Sequence, residues 1–300
     1  MRSLDYLHLD VFTSNRFEGN QLAVFPSPGE LATEQMQTIT QEMNFSESTF
    51  VYPPRQGGDA HMRIFTPGKE LPIAGHPTIG TTFALAQLGV IAGGREHWVY
   101  ELGVGPTPVS LEWTGGQLSF AWMTQPLPSF GGEIADRAGV ADACGVSPSD
   151  LLEGAPVQEV SCGVPYLFLP LTSRRAVDAV AVDRRALAAQ CRDAGLEELA
   201  VYAFTMEAAG DETVYSRMLA PAFGIAEDPA TGSACGPLGS YLRYHELVDA
   251  DQARAMVSLQ GVAMRRPSRI HISIDSKDEM ITKVRVGGQS VIVGRGTLDV

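Results

Sequence analysis

The chain has 300 residues, of which 44% are hydrophobic and 19% charged, and this excludes a wholly disordered polypeptide. At this length a sizeable core can be buried, and two domains are the prior. A net charge of −13 argues against nucleic acid or an anionic membrane as the main partner, while leaving room for a small anionic ligand in a locally positive site.

The opening MRSLDYLHLDVF alternates polar and apolar residues and reads as a strand, not as a secretory leader. No apolar run reaches ~18 residues, so no membrane span is expected and a cytoplasmic location is the default. QLAVF follows as a strand, with Asn20 at its start in either a turn or a site role. Residues 33–43 set Met36, Ile39 and Met43 on one helical face. The stretches STFVY, HMRIF, VSLEW, LSFAW, YLFLPL, AVYAF and RIHISI are short strands of antiparallel character, separated by turn residues. The Pro/Gly-rich TQPLPSFGG, residues 124–132, is a candidate linker, and residues 184–193 form a short charged helix.

An internal echo organises the chain. RIFTPGKELPIAGHPTIGTT at 63–82 matches RMLAPAFGIAEDPATGSA at 217–234. Each begins with an arginine, Arg63 or Arg217, places Pro67 or Pro221 four positions on, and ends in x-Pro-x-x-Gly. His76 and Asp228 open those final patterns 152 positions apart, about half the chain. The two halves therefore read as copies.

The segments after both motifs, TIGTTFALAQLGV and TGSACGPLGSYL, carry no charge, so helices there are expected to be buried. Proline suits a first helical turn, which makes Asp228 the expected N-cap and puts His76 in the equivalent place. Free N–H groups at such helix starts favour anions, and Gly75, Gly80 and Gly232 permit close backbone approach. Two purely structural helix starts are the competing reading. Pro237 falls inside the second helix and is expected to kink it or delay its start. Glu47, in NFSESTFVY, sits between helix and strand beside Phe45 and Phe50; it is either a solvated turn residue or a desolvated carboxylate with a raised pKa, usable as a proton shuttle.

Several chemistries find no support. Three lysines, Lys69, Lys277 and Lys283, offer little choice for a Schiff base. Cys144, Cys162, Cys191 and Cys235 form no C-x-x-C pair, and His61, His97, His245 and His271 lack metal-ligand spacing, so no metal is expected. Nucleophile-elbow, P-loop and dinucleotide-binding patterns are absent. Arg265 and Arg266 read as a surface turn that could also meet an anion.

FEGNQLAVF, EMNFSESTFVY, RIFTPGKELPIAGHPTIGT, EDPATGSACGPL and LQGVAMRRPSRI, in that order, resemble the phenazine-biosynthesis PhzF family within the diaminopimelate-epimerase-like fold. The resemblance implies an α+β fold of two similar domains, each a mostly antiparallel sheet wrapped around a central helix, with the active site in the cleft between them. The domains would be 1–123, completed by a last strand near 290–300, and 124–289. It further implies a homodimer without cofactor that isomerises a small anionic cyclic acid such as trans-2,3-dihydro-3-hydroxyanthranilate. In that reaction a glutamate takes the C3 proton and delivers a proton at C1, leaving an enol that tautomerises to a ketone. That glutamate matches Glu47; His76, Asp228 and Ser233 match substrate-binding residues, with Asn20, Gly75, Thr231 and Gly232 beside them. Pro229 occupies the variable place after the aspartate. Racemases of this fold carry one thiol at each helix start, and neither motif has one here, so two-thiol chemistry is not expected. An isomerase of another secondary-metabolite substrate, or a non-catalytic binding member, are the alternatives.

Overall fold

The computed structural model describes residues 3–277 and 279–300. The chain divides into two compact units, Met1–Thr124 with Val286–Val300, and Gln125–Arg285.

The first unit runs β1 (Ser3–Val11), β2 (Asn20–Phe25), α1 (Thr33–Met43), β3 (Glu47–Tyr52), β4 (Ala60–Phe65), β5 (Glu70–Leu71), α2 (Gly75–Gln87), β6 (His97–Leu102), β7 (Gly105–Thr114) and β8 (Gln117–Gln125). β1 pairs antiparallel with β2, and β2 parallel with β3 across α1. β4 runs antiparallel to both β3 and β5, and parallel to β6 across α2. β7 then joins β6 and β8, both antiparallel. The parallel pairs exist because a helix supplies the long crossover such pairs need.

The second unit holds β9 (Ser129–Glu133), α3 (Arg137–Ala143), β10 (Gln158–Ser161), β11 (Pro165–Pro170), α4 (Arg174–Ala179), α5 (Arg184–Asp193), β12 (Ala200–Thr205), β13 (Val214–Ala220), β14 (Ile225–Asp228), α6 (Gly232–Tyr244), β15 (Met256–Gln260), β16 (Ser268–Lys277) and β17 (Met280–Gly288). Its pairings repeat the first unit's order. β10 and β11 are antiparallel, β11 and β12 parallel across α4 and α5, and β12 and β13 antiparallel. β13 pairs antiparallel with the short β14 and parallel with β15 across α6, and β15 is antiparallel to β16. The sequence echo is thus a repeat of topology.

The last strand of each repeat is exchanged. β9, which closes the first half of the chain, pairs with β10, while β18 (Ser290–Asp299) pairs with β1 from Ser3↔Asp299 to Val11↔Ser290. Part of the stretch expected as a linker is therefore strand.

Each unit packs around one of the two charge-poor helices. α2 is buried without a break from Gly75 to Thr82, and α6 from Ala234 to Leu242. The α2 threonines stay satisfied by bonding back within the helix: Thr78 Oγ1 donates to Ala74 O (2.7 Å) and Thr82 Oγ1 to Thr78 O (2.8 Å). α6 runs through Pro237 without a break. The missing N–H would have reached only Ser233, in the first turn, and burial on all sides holds the rest. The amphipathic α1 lays Met36 and Ile39 on Phe25, Phe50 and Phe65, and ends at Asn44 in the left-handed region (φ 51°).

The echoed arginines have one job in both units. Arg63 Nε and Nη2 fork onto the Glu70 carboxylate at 2.7 and 2.6 Å, tying β4 to β5. Arg217 forks onto Glu227 at 3.0 and 2.8 Å, tying β13 to β14, and its Nη1 also donates to the carbonyls of Val177, Asp178 and Val180. Each fork fixes the strand that leads into a central helix. The side chains of Arg217 and Glu227 are 11% and 14% exposed, against 21% and 39% for Arg63 and Glu70, so solvent screens the first pair far less. We expect Arg217→Ala to cost roughly 3 kcal/mol in chemical denaturation and Arg63→Ala about 1 kcal/mol or less. Equal losses would show that burial does not set the strength of these forks.

Candidate active site

Three of the expected site residues come together in the first unit. Asn20 opens β2 and Glu47 opens β3, where the parallel register sets Glu47 opposite Leu22. His76 lies in the first turn of α2, behind Gly75. Asn20 Nδ2 stands 3.4 Å from His76 Nδ1, and His76 Nε2 stands 3.3 Å from Glu47 Oε2. Gly19 brings the chain into β2 with φ at +68°, where a side chain would run into the Val11 carbonyl. Gly80 lets α2 settle on Leu22 and Val11, which carries His76 toward the strand ends.

Burial pushes the His76 pKa from 6.5 down to about 3, with a hydrogen bond to the Gln21 backbone opposing the shift. The ring is therefore neutral at physiological pH, and its contact with Glu47 is not an imidazolium–carboxylate pair. A neutral imidazole offers either an N–H, which suits a carboxylate, or a lone pair, which suits a carboxylic acid. The Glu47 side chain is 16% exposed, enclosed yet still reachable.

The second unit gathers the other set. Asp228 ends β14, and its Oδ2 accepts from Thr231 Oγ1 at 2.5 Å. Gly232 opens α6, and its carbonyl accepts from Gln125 Nε2 at 3.0 Å. The Ser233 hydroxyl lies 2.7 Å from the Tyr166 hydroxyl. Neither expected cap is where proline placement put it. Asp228 is still paired with Met218 in the sheet, so α6 begins four residues later with Thr231 in the cap position. In α2 the cap position is Ala74, and His76 is inside the helix.

One buried residue lies in LQGVAMRRPSRI, a motif that carries the resemblance, and is not among the expected site residues. Gln260, the last residue of β15, holds the Asp228–Thr231 loop through its side-chain amide. Behind it, the Tyr202 hydroxyl lies within hydrogen-bond distance of Ser216 (3.0 Å), Ser258 (3.2 Å) and the Cys235 thiol (3.4 Å). Burial raises the Cys235 pKa to about 12, so this sulfur is a protonated thiol of the core and not a thiolate base. All four cysteines are buried and free. Among the described residues no three His, Cys, Asp or Glu side chains gather as a metal site, and no helix is long and apolar enough to cross a membrane.

Comparison with known proteins bears on the family and the fold. The sequence profile of the family described as phenazine biosynthesis-like protein matches residues 9–296. A trans-2,3-dihydro-3-hydroxyanthranilate isomerase of Pseudomonas fluorescens is 39% identical, over 98% of this chain and 99% of that protein. A crystal structure of a Bacillus anthracis phenazine biosynthesis protein of the PhzF family superposes with a TM-score of 0.88 at 23% identity, covering 100% of both chains. A hydroxyproline epimerase of Agrobacterium vitis shares the fold at a TM-score of 0.67 and 13% identity, over 99% of this chain and 92% of that one. The α+β, epimerase-like architecture expected from the sequence is the one observed.

The lowered pKa of His76 makes a prediction about stability. Between pH 6.5 and about 3 the unfolded chain binds a proton at this ring and the folded chain does not, so stability falls as pH drops through that window. His76→Asn should lose less stability than the wild type between pH 7 and pH 4.5, measured by denaturant midpoint. An identical fall in the two proteins would mean that His76 is not held neutral.

Proposed function

The chain belongs to the phenazine biosynthesis-like (PhzF) family, and we propose that it is a cofactor-independent isomerase that moves a proton within a small cyclic carboxylic acid of the dihydrohydroxyanthranilate type. The observation that carries the reading is the Glu47–His76 pair: an enclosed carboxylate, 3.3 Å from a neutral imidazole. The name of the P. fluorescens relative supports the reaction class and the substrate class.

In this reading Glu47 is the base that takes the C3 proton and the acid that returns one at C1, the enol so formed then tautomerising to the ketone. The two steps cycle one carboxyl group between two states, beside a ring that burial keeps neutral. Asn20 orients the ring through Nδ1. In the second unit, Asp228 and Ser233, with the backbone at Thr231 and Gly232, are the groups read as binding polar parts of a substrate. Gly75 precedes His76 at the start of α2 and is the backbone position read as part of the same group.

The test is turnover of trans-2,3-dihydro-3-hydroxyanthranilate, followed by ultraviolet absorbance and by deuterium uptake from D2O. Glu47→Gln should lower kcat by ~10²–10⁴, the usual contribution of a general acid–base, and abolish uptake while a substrate-like acid still binds. Wild-type-like turnover in Glu47→Gln would overturn the assignment of the shuttle.

A further inference from the structure

We infer that Gln260 is a positioning residue for the Asp228 carboxylate, acting through Thr231. This rests on the reading of Asp228 as a substrate-binding group. Each hydrogen-bonding position of the Gln260 amide is used. Nε2 donates to the Asp228 carbonyl at 2.8 Å and to Thr231 Oγ1 at 3.0 Å. Oε1 accepts from the Thr231 N–H and from the Tyr202 hydroxyl, both at 3.1 Å. A primary amide has two donors and two acceptor lone pairs, so all four are satisfied. The reverse orientation would set Oε1 against the Asp228 carbonyl and an NH2 against the Thr231 N–H, so the network fixes which way the amide points.

That orientation carries forward to the carboxylate. Because Thr231 Oγ1 accepts from Gln260, its own hydrogen is free to point elsewhere, and it goes to Asp228 Oδ2 at 2.5 Å. The chain therefore runs in one direction, from the Gln260 amide through the Thr231 hydroxyl to the carboxylate. It fixes the position of Asp228 Oδ2. Gln260, Thr231 and the Asp228 main chain are all buried, so each of these bonds is made away from competing water. The next residue secures the same loop from behind. Gly261, with φ at +77°, packs so closely that a Cβ there would come 2.5 Å from the Pro229 carbonyl oxygen. No substitution at 260 reproduces the network: methionine has no donor, and glutamate keeps both acceptors but offers no N–H.

The experiment measures kcat and KM for trans-2,3-dihydro-3-hydroxyanthranilate in Gln260→Met, Gln260→Glu, Thr231→Val, Asp228→Asn and the double variant Gln260→Met/Asp228→Asn. Thermal melts check that each is folded. Gln260→Met is the guard against misfolding, because it keeps the length of the side chain and buries no charge. The expected result is a rise in KM of about tenfold for Gln260→Met and for Thr231→Val, with kcat changed much less. The double variant should be no worse than Asp228→Asn alone, since the two residues act on one group. Wild-type KM in Gln260→Met and Gln260→Glu, or additive losses in the double variant, would overturn the inference while leaving Asp228 as a binding group. Unchanged kinetics in Asp228→Asn would instead remove the binding role of that residue and this inference with it. Neither result bears on Glu47, whose role is judged by deuterium uptake.

Discussion

A buried imidazole kept neutral beside a glutamate is the constraint from which the rest of this molecule can be understood. At 3.3 Å from Glu47, a charged His76 would hold the carboxylate as a fixed anion. Burial removes that possibility by lowering the ring's pKa to about 3. The cost is an ionisable side chain inside the core, and it is met by the way α2 is built. The helix enters from Ala74 in an extended conformation, buries its first eight residues, and satisfies its own threonine hydroxyls internally. Parallel pairing of β2 and β3 then sets Glu47 opposite Leu22, two residues past Asn20, and Asn20 and Glu47 both reach the ring.

The same plan serves a different chemistry in the second unit. Its central helix also follows a short strand tied back by an arginine fork, yet where the first unit has an imidazole in the opening turn, the second has a strand-end aspartate held by Thr231 and Gln260. The repeat was kept in its topology and diverged in the loop that enters the helix. Exchange of the last strands, β9 to the second unit and β18 to the first, makes each unit depend on chain from both repeats.

Much of this was legible in the sequence, and the exceptions have physical causes. Strands such as QLAVF and STFVY declared themselves as short apolar runs, buried on both faces, and the helix over 33–43 by periodicity, because one face of it is buried. Strands β5 and β14 did not. They are two and four residues long, and Ile225 and Ala226 are exposed, so no apolar alternation marks them. The Asp228 cap was misplaced for that reason: proline does favour a first helical turn, but pairing with Met218 and the grip of Gln260 hold Asp228 in the strand. Gln260 lies in the motif LQGVAMRRPSRI, but its role there could not be read locally, because its partners lie 29 to 58 residues away along the chain. Glu47 and His76, by contrast, could be picked out through the motifs that resemble the family, while the distance between them could be read only from the fold.

The central claim is that one carboxyl group both removes and returns the proton. It is tested most directly by following the label in a single turnover of substrate deuterated at C3, in ordinary water. If Glu47 carries the proton across, part of the deuterium appears at C1 of the product, and that fraction rises when turnover outpaces exchange with solvent. Product whose C1 hydrogen comes entirely from water under every condition would contradict a single-carboxylate shuttle.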